Sequence, residues 1–590
     1  MIHETMLVRS QHLTYFEQHG ELFAFHNLFG YIIGMSHDLV ELIEFHREQP
    51  QTRTEVDERF GDHFETEQLD EFLTILQSYN VLVESQLEEE RSVWRMVPVR
   101  ARWVVYHQPN ETNLTFWRSI GKTSEADPYP AWASIFWSEI DNERTVGQII
   151  AELRDDPTLD AEPLDDTTVL ETLGQWVHHE RQYLKLAIAP LQTFGAPHKW
   201  PSYIRSTMPY RTWEPTSAAP HRALDPLATP LNPPHAYYAS NVSDAAEQFD
   251  MVETTLSHLF RHETPLLGGL SFSHALMLEL DARGLIHEQV RHIVEVGAGC
   301  GDFAAGVLHY LRDKYPEIYA NVDYEIIDLS PTLRQAQKQR LQEVGVLDHV
   351  RWTAVNAELW TPAPESIDLL LSNEVVGDFS TVRLTRKLLL MESAPELSGV
   401  IEHWPDTLRA RLGEAGKLIE RYTIPLHDAP DSFYFQVGAL KFIAKICDAL
   451  RPGAGFYLSE SGDSVKYPVA STHLDHLEFS THFGHAKHVA TMHGVEATVE
   501  YVQDLIGLDR EAKVLETGRT YFQNLRALMA HFGVTLEKRA YTEAMLTDLL
   551  GRELSISAIG DLRFRWIDER CMGLAPHEFK ALLGCKPPRK

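Results

Sequence analysis

Apolar and polar residues alternate from His12 to His26, on both sides of His19-Gly20. A period of two predicts a hairpin with one buried face. The period then changes: in His37–Gln49, Leu39, Leu42 and Ile43 recur at helical spacing. Thr52–Phe60 predicts a second short helix, and Leu69–Ser85 a third that runs into an apolar, strand-like tail. The same order then repeats. Arg102–Trp117 alternates around Pro109-Asn110-Glu111-Thr112, and helical stretches follow in Trp132–Asp141, Arg144–Leu153 and Thr168–Ala187. The best alignment of the two copies sets Val56 and Phe60 against Ile149 and Leu153. Residues 199–236 are rich in proline and lack a period, which reads as a linker that Tyr203 and Trp213 could anchor.

From about residue 265 the pattern changes class. Short apolar runs at 292–297, 323–330, 349–355, 366–374 and 454–461 read as strands. Amphipathic stretches at 302–315 and 331–345, and one from Ala439 stopped by Arg451-Pro452-Gly453, read as helices between them. That alternation predicts an α/β half with a parallel sheet covered on both faces, preceded by an α+β tandem. The expected domains are 1–95, 96–198, a proline-rich linker at 199–240, and 241–590. A chain of 590 residues is too long for one core and agrees with several.

Charge narrows the partners. The net charge of −32 excludes a generic affinity for nucleic-acid backbones and suits a basic or neutral peptide. No window approaches the roughly 18 apolar residues of a membrane span, and MIHETMLVRS has no secretory pattern, so a cytoplasmic location is expected. Cys300, Cys447, Cys571 and Cys585 are scattered, which reads as reduced thiols rather than a disulfide framework or a CxxC metal pair. A homodimer is left open.

The most informative turn is VEVGAGCGDF, Val294 to Phe303. Its glycines, Gly297, Gly299 and Gly301, form GxGxG. The dinucleotide fingerprint is GxGxxG, and a P-loop needs GK[ST], which is absent. With Glu295 ending the first strand and Asp328 ending the next, the pattern fits S-adenosyl-L-methionine (SAM). Asp328, with Leu329 beside it, is placed to meet the ribose hydroxyls. After the third strand, Asn356 or Glu358 is the candidate for the adenine amino group. The fourth strand ends in SNEVVGDF, Ser372 to Phe379, where Asn373, Glu374 and Asp378 should face the methyl donor, since the crevice of an open α/β sheet lies at the carboxyl ends of its strands. Downstream, 472–493 is dense in histidine. His485 and His488 share a helix face, but no HExxH is present and no metal is expected. His476 and His482 read instead as catalytic or substrate-positioning residues.

These segments together resemble the MidA-like methyltransferases, which include the mitochondrial complex I assembly enzyme that dimethylates an arginine. The resemblance covers about 265–590 and rests on VEVGAGCG, YEIIDLSPTLRQAQ, SNEVVGDF, His476-Leu477-Glu478-Phe479, YVQDLIGLD and Met572-Gly573 followed by Glu578–Leu582. It implies a class I, Rossmann-like fold with a helical insertion after the fourth or fifth strand. Val375-Val376 replaces the family's aromatic pair and STVRLTRK its proline-rich exit, which puts the family's substrate in doubt. The two N-terminal copies each describe a winged helix. Their second helices are not basic, which argues against DNA, and the pattern resembles the peptide-binding domains related to the PqqD chaperone. In that family a leader peptide adds a strand to the hairpin sheet.

The acids also bear on the acceptor. Glu374, Asp378 and Glu478 could cage a guanidinium, and His476 could serve a single-base mechanism. The resulting expectation is a SAM-dependent methyltransferase that modifies a ribosomally made precursor peptide at a side-chain nitrogen, with the leader on the N-terminal domains. The alternatives are an arginine methyltransferase of a folded protein and, from another class, a non-catalytic scaffold or regulator on the same fold.

Overall fold

The same series of elements is written twice in the first 187 residues. Strand β1 (Leu7–Arg9) precedes a meander of β2 (Leu13–Gln18), β3 (Glu21–His26) and β4 (Tyr31–Met35). Helices α1 (His37–Phe45), α2 (Arg53–Phe60) and α3 (Thr66–Ser78) follow, and β5 (Leu82–Glu84) closes the series by pairing antiparallel with β1. The second copy runs β6 (Val97–Arg100), β7 (Val105–Asn110), β8 (Asn113–Ile120), β9 (Thr123–Tyr129), α4 (Ala131–Ser138), α5 (Val146–Arg154), α6 (Asp166–Val177) and β10 (Leu184–Ala187). Here β10 pairs with β6. A threonine starts the second helix of each copy: Thr52 with Glu55, and Thr145 with Gln148, form capping boxes that satisfy otherwise orphaned amides. Both boxes stand four residues before the aligned Val56 and Ile149.

This computed structural model describes residues 6–187, except 19–20, 30, 62–63, 65, 85–92, 102–103, 121–122, 160–163 and 179–180; residues 211–212, 238, 242 and 249; and residues 255–589, except 387–388, 390–403, 405, 474–475, 517–518, 552–553, 561 and 567–577. The chain forms two units. One comprises Met1–Pro220, Thr520–Leu536 and Thr547–Leu562; the other comprises His221–Arg519, Glu537–Leu546 and Arg563–Lys590.

In the first unit both sheets have three meander strands rather than a simple hairpin. The extra strand of the second copy, β9, reads TSEADPY and is mostly exposed, so no apolar alternation marks it. The outer edge of β2 pairs with Arg211–Thr212, and that of β7 with Ile559–Gly560. Among the described residues no strand pairs with the outer edges of β4 or β9. Phe116, Trp137 and Trp176 pack edge to face, with ring centroids 4.8–5.5 Å apart, and form the core of the second copy.

The second unit is built on β11 (His292–Val296), β12 (Asp323–Ile327), β13 (Val350–Thr353), β14 (Ile367–Asn373), β15 (Leu450–Asp463), β16 (Glu496–Tyr501) and β17 (Glu578–Cys585). The strand order is β13-β12-β11-β14-β15-β17-β16. Pairings from β13 through β15 are parallel, and β17 runs antiparallel to both neighbours. The order reverses between β11 and β14, which puts a crevice at their carboxyl ends. Helices α7 (Leu256–Leu259), α8 (Phe272–Ala282), α9 (Asp302–Lys314), α10 (Pro331–Glu343), α11 (Asp406–Tyr422), α12 (Val437–Ala449) and α13 (Phe483–Met492) accompany the sheet. Between β14 and α12 lie two antiparallel strands, Val382–Thr385 and Ser432–Phe435, with α11 between them in the chain, the expected insertion. Helix α12 ends at Ala449, two residues before the predicted stop: Leu450 already pairs with Ile367, and the register shifts before Gly455 meets Leu369. Arg451-Pro452-Gly453 therefore forms an irregularity inside the strand.

Among the described residues no helix is long and apolar enough to cross a membrane. Among the described residues Cys300, Cys447 and Cys585 form no disulfide; Cys571 lies outside the described residues.

Candidate active site

Four of the five residues of β11 are buried, and it delivers the chain into the glycine turn. All three glycines take left-handed backbone angles, with φ of 70°, 52° and 91°. A side chain at Gly297 is excluded twice over: its Cβ would lie 2.5 Å from Val375 Cγ2. Gly301 caps α9, and its Cβ would come within 3.0 Å of the Gln337 Cα. The turn is bare backbone over a crevice of about 1030 Å³, counting its open mouth.

Two acids stand at the ends of β11 and β12. Glu295 is 2% exposed and accepts the Tyr324 hydroxyl at 2.6 Å. Burial pushes its carboxyl up to about 8, with the Asp328 charge adding to the rise and Tyr324 opposing it. Asp328 is 6% exposed. Burial pushes it up to about 6, against hydrogen bonds from the Ser330 amide at 2.8 Å and the Gln337 amide at 2.6 Å.

Gln337, fully buried on α10, also donates to the Gly299 carbonyl at 3.0 Å. Trp352 fixes the orientation of its amide, because an indole only donates: Nε1 gives its proton to Gln337 Oε1 at 3.0 Å, which leaves Nε2 for Asp328. No role was expected of Gln337. The available signal was its place as the last residue of SPTLRQAQ, seven residues into a helix.

The structure brings most of the predicted residues together. Glu295, Gly297, Gly299, Asp328 and Leu329 line the crevice at the carboxyl ends of β11 and β12. Asn356, Asn373, Glu374 and Asp378 line it at the ends of β13 and β14. Gly301 shapes the turn without reaching the wall. Glu358 is a correction: it does not line the crevice, and its carboxylate accepts from Ser380 N at 3.1 Å and Ser380 Oγ at 2.9 Å, tying the third-strand loop to the insertion.

Glu374 sits in a left-handed conformation, φ 56°, that a non-glycine residue seldom adopts. Its carboxylate accepts the Leu256 amide at 2.8 Å and the Asn373 side-chain amide at 3.1 Å. Asn373 also donates to Ser257 Oγ at 3.0 Å and accepts from Ser459 Oγ at 2.8 Å.

Glu478 lies on the short strand His476–Phe479, outside the crevice wall. It flanks an acid that sequence reasoning passed over, Glu460 of β15. Burial, then Glu374, then Glu478 hold the Glu460 carboxyl well above the ordinary range. Glu460 accepts from Gly377 N at 3.0 Å and Ser461 N at 2.8 Å, and so buttresses the turn that carries Asp378. The signal was an acid inside the apolar run FYLSES, as Glu295 is in HIVEV.

The side chain of His476 lies outside the described residues. His482 is buried and stacks on His485, centroids 3.7 Å apart, away from the crevice wall. His485 and His488 do share a face of α13, but they donate to the carbonyls of Pro425 and Tyr422, at 3.0 and 2.7 Å. Among the described residues no three metal-ligating side chains cluster.

The donor set fits SAM: bare backbone at the turn, two acids at the first two strand ends, and a side-chain amide at the third. The family described as "Putative S-adenosyl-L-methionine-dependent methyltransferase" matches residues 279–458. The chain is a SAM-dependent methyltransferase. The matched segment carries β11 to β14 and the start of β15, and it supports the MidA-like reading of this half. The methyltransferase is similar to an uncharacterised protein from Burkholderia thailandensis, at 16% identity and a TM-score of 0.31, over 60% of this chain and 84% of that one. It is also similar to a protein from the same organism bound to S-adenosylhomocysteine, at 15% identity and a TM-score of 0.30, over 59% and 81%. No curated protein matches the sequence.

Proposed function

We propose that the methyltransferase modifies a side-chain nitrogen of a ribosomally made precursor peptide, whose leader is held by the N-terminal unit. The observation that carries the nitrogen acceptor is the pair Glu374 and Asp378 lining the fourth-strand end of the crevice. Their potential favours a cationic or amine-bearing side chain and repels a carboxylate. SAM supplies the methyl group on a sulfonium, and the chain positions the acceptor, keeps water away and takes up its proton. Asp328, held by Ser330 and Gln337, is the acceptor for ribose hydroxyls, and the glycine turn lets backbone approach closely. Peptide capture is supported by the outer edges of β4 and β9, where an extended segment can add as a strand. A held leader raises the effective concentration of its core peptide at the crevice.

The test is mass spectrometry of candidate precursor peptides, encoded beside the gene, after incubation with SAM. Peptides with an intact leader should gain 14-Da increments, about one methylene each. Equal turnover of leaderless core peptide would sink the leader reading. A second reading, arginine methylation in a folded protein, is favoured by Glu478, a further acid that acts together with Glu374 on the buried Glu460 beside the turn. It predicts modification of a folded protein with no dependence on a leader.

A further inference from the structure

The expected methyltransferase domain began at residue 241, but no site residue was expected ahead of Glu295. The structure places Thr255, Ser257 and His258 in the wall of the crevice. Three bonds fix this segment. Thr255 caps α7 by accepting the His258 amide, Glu374 accepts the Leu256 amide at 2.8 Å, and Asn373 donates to Ser257 Oγ at 3.0 Å. The His258 carbonyl accepts from Arg261 at 2.6 Å, which secures the far side. The ring of His258 lies 5.6 Å from that of Phe249. Phe249 in turn covers the glycine turn, 3.1 Å from where a Cβ on Gly299 would stand. The backbone that carries His258 is thus tied to the fourth-strand residues Asn373 and Glu374, and its imidazole lines the crevice beside Phe249.

We infer that His258 faces the transferred methyl group from the acceptor side and takes the proton released by the acceptor nitrogen. This rests on the nitrogen-acceptor reading above. Glu374 is the less suitable base, because two donors already hold its carboxylate, and hydrogen bonds to a carboxylate lower its basicity. An imidazole has the better proton affinity for work near neutral pH. In the step, the nitrogen lone pair bonds to the methyl carbon as the carbon–sulfur bond breaks and its pair stays on sulfur. The N–H proton passes to a ring nitrogen of His258 and from there to water. The titratable groups that line the same crevice are Glu374 and Asp378 on the β14 turn, Cys300 on the glycine turn, Asp302 at the start of α9, Glu295 and Asp328 at the first two strand ends, and Tyr238; Arg261, outside that lining, holds the His258 carbonyl.

Sinefungin tests the placement without a known acceptor, because it carries an amine where SAM carries the methyl group. Its affinity relative to S-adenosylhomocysteine cancels the titration of Glu295 and Asp328, which both ligands share. Calorimetry on the full chain should show this ratio falling by about threefold or more between about pH 8 and about pH 5.5, as protonated His258 opposes the amine. In His258→Gln the ratio should fall clearly less over the same range, leaving only the contribution of Glu374 and Asp378. The same pH dependence in wild type and His258→Gln would overturn the inference. If no arginine, lysine or histidine peptide gains a methyl group while the ratio still follows His258, the nitrogen reading fails and the placement stands.

Discussion

The carboxylate of Glu374 accepts the backbone amide of Leu256 at 2.8 Å, across 118 residues of chain. An acid at the end of the fourth strand thereby anchors the segment that carries Ser257 and His258. Its left-handed backbone places it there. Glu374→Ala should release that segment and leave the cofactor end intact. The expected result is a fall in kcat of about tenfold or more, with S-adenosylhomocysteine affinity within about threefold of wild type. Steady-state kinetics and calorimetry check the split.

Gln337 joins Asp328 to the Gly299 carbonyl and is oriented by Trp352. Gln337→Leu keeps the bulk and removes both donated bonds. Since a hydrogen bond to a charged group contributes about 1.5–3 kcal/mol, cofactor affinity should fall by about tenfold or more. Calorimetry with S-adenosylhomocysteine reads this directly.

Glu295 sets a pH dependence. Its native carboxyl titrates at about 8, above its ordinary 4.5, so the folded state holds a proton that the unfolded chain has lost. Stability from this group is therefore full below about 4.5 and falls as pH rises through about 8. Asp328 acts in the same direction up to about 6. Glu295→Gln cannot ionise, so the drop in Tm between about pH 5.5 and about pH 8.5 should be smaller in the variant than in wild type. Thermal melts at the two values measure it.

Gly297→Ala combines a positive φ with a Cβ 2.5 Å from Val375. The left-handed angle alone costs about 1 kcal/mol, and overpacking typically adds about 1–3 kcal/mol. The variant should melt earlier and bind S-adenosylhomocysteine weakly. Unchanged affinity would show that the turn does not approach the cofactor.

Strands β11, β12, β14 and the middle of β15 were legible because they are buried on both faces and read as short apolar runs between amphipathic helices; β13, at the sheet edge and only partly covered, was legible from its place in the series. The glycine turn and Asp328 followed from their places at strand ends. Strand β9 was not legible, because an exposed edge strand has no reason to alternate. The 255–258 segment carries no pattern of its own; its importance comes from bonds to Asn373 and Glu374 far along the chain. Packing at that distance also explains why 520–536 and 547–562 join the first unit although the local pattern is continuous with the second. Glu358 was misplaced because spacing puts it near the cofactor, whereas only tertiary structure shows Ser380 occupying its carboxylate. The histidine-dense segment divides for the same reason: buried rings at His482 and His485 stack within the core rather than face the crevice.

The central claim is that the crevice between the glycine turn, Asp328 and Glu374 binds SAM. The most direct measurement is calorimetry of S-adenosylhomocysteine on the full chain and on Asp328→Ala. The account predicts one-to-one binding by the wild type and a loss of about tenfold or more in the variant. No binding by the wild type, or equal affinity in both proteins, would contradict it.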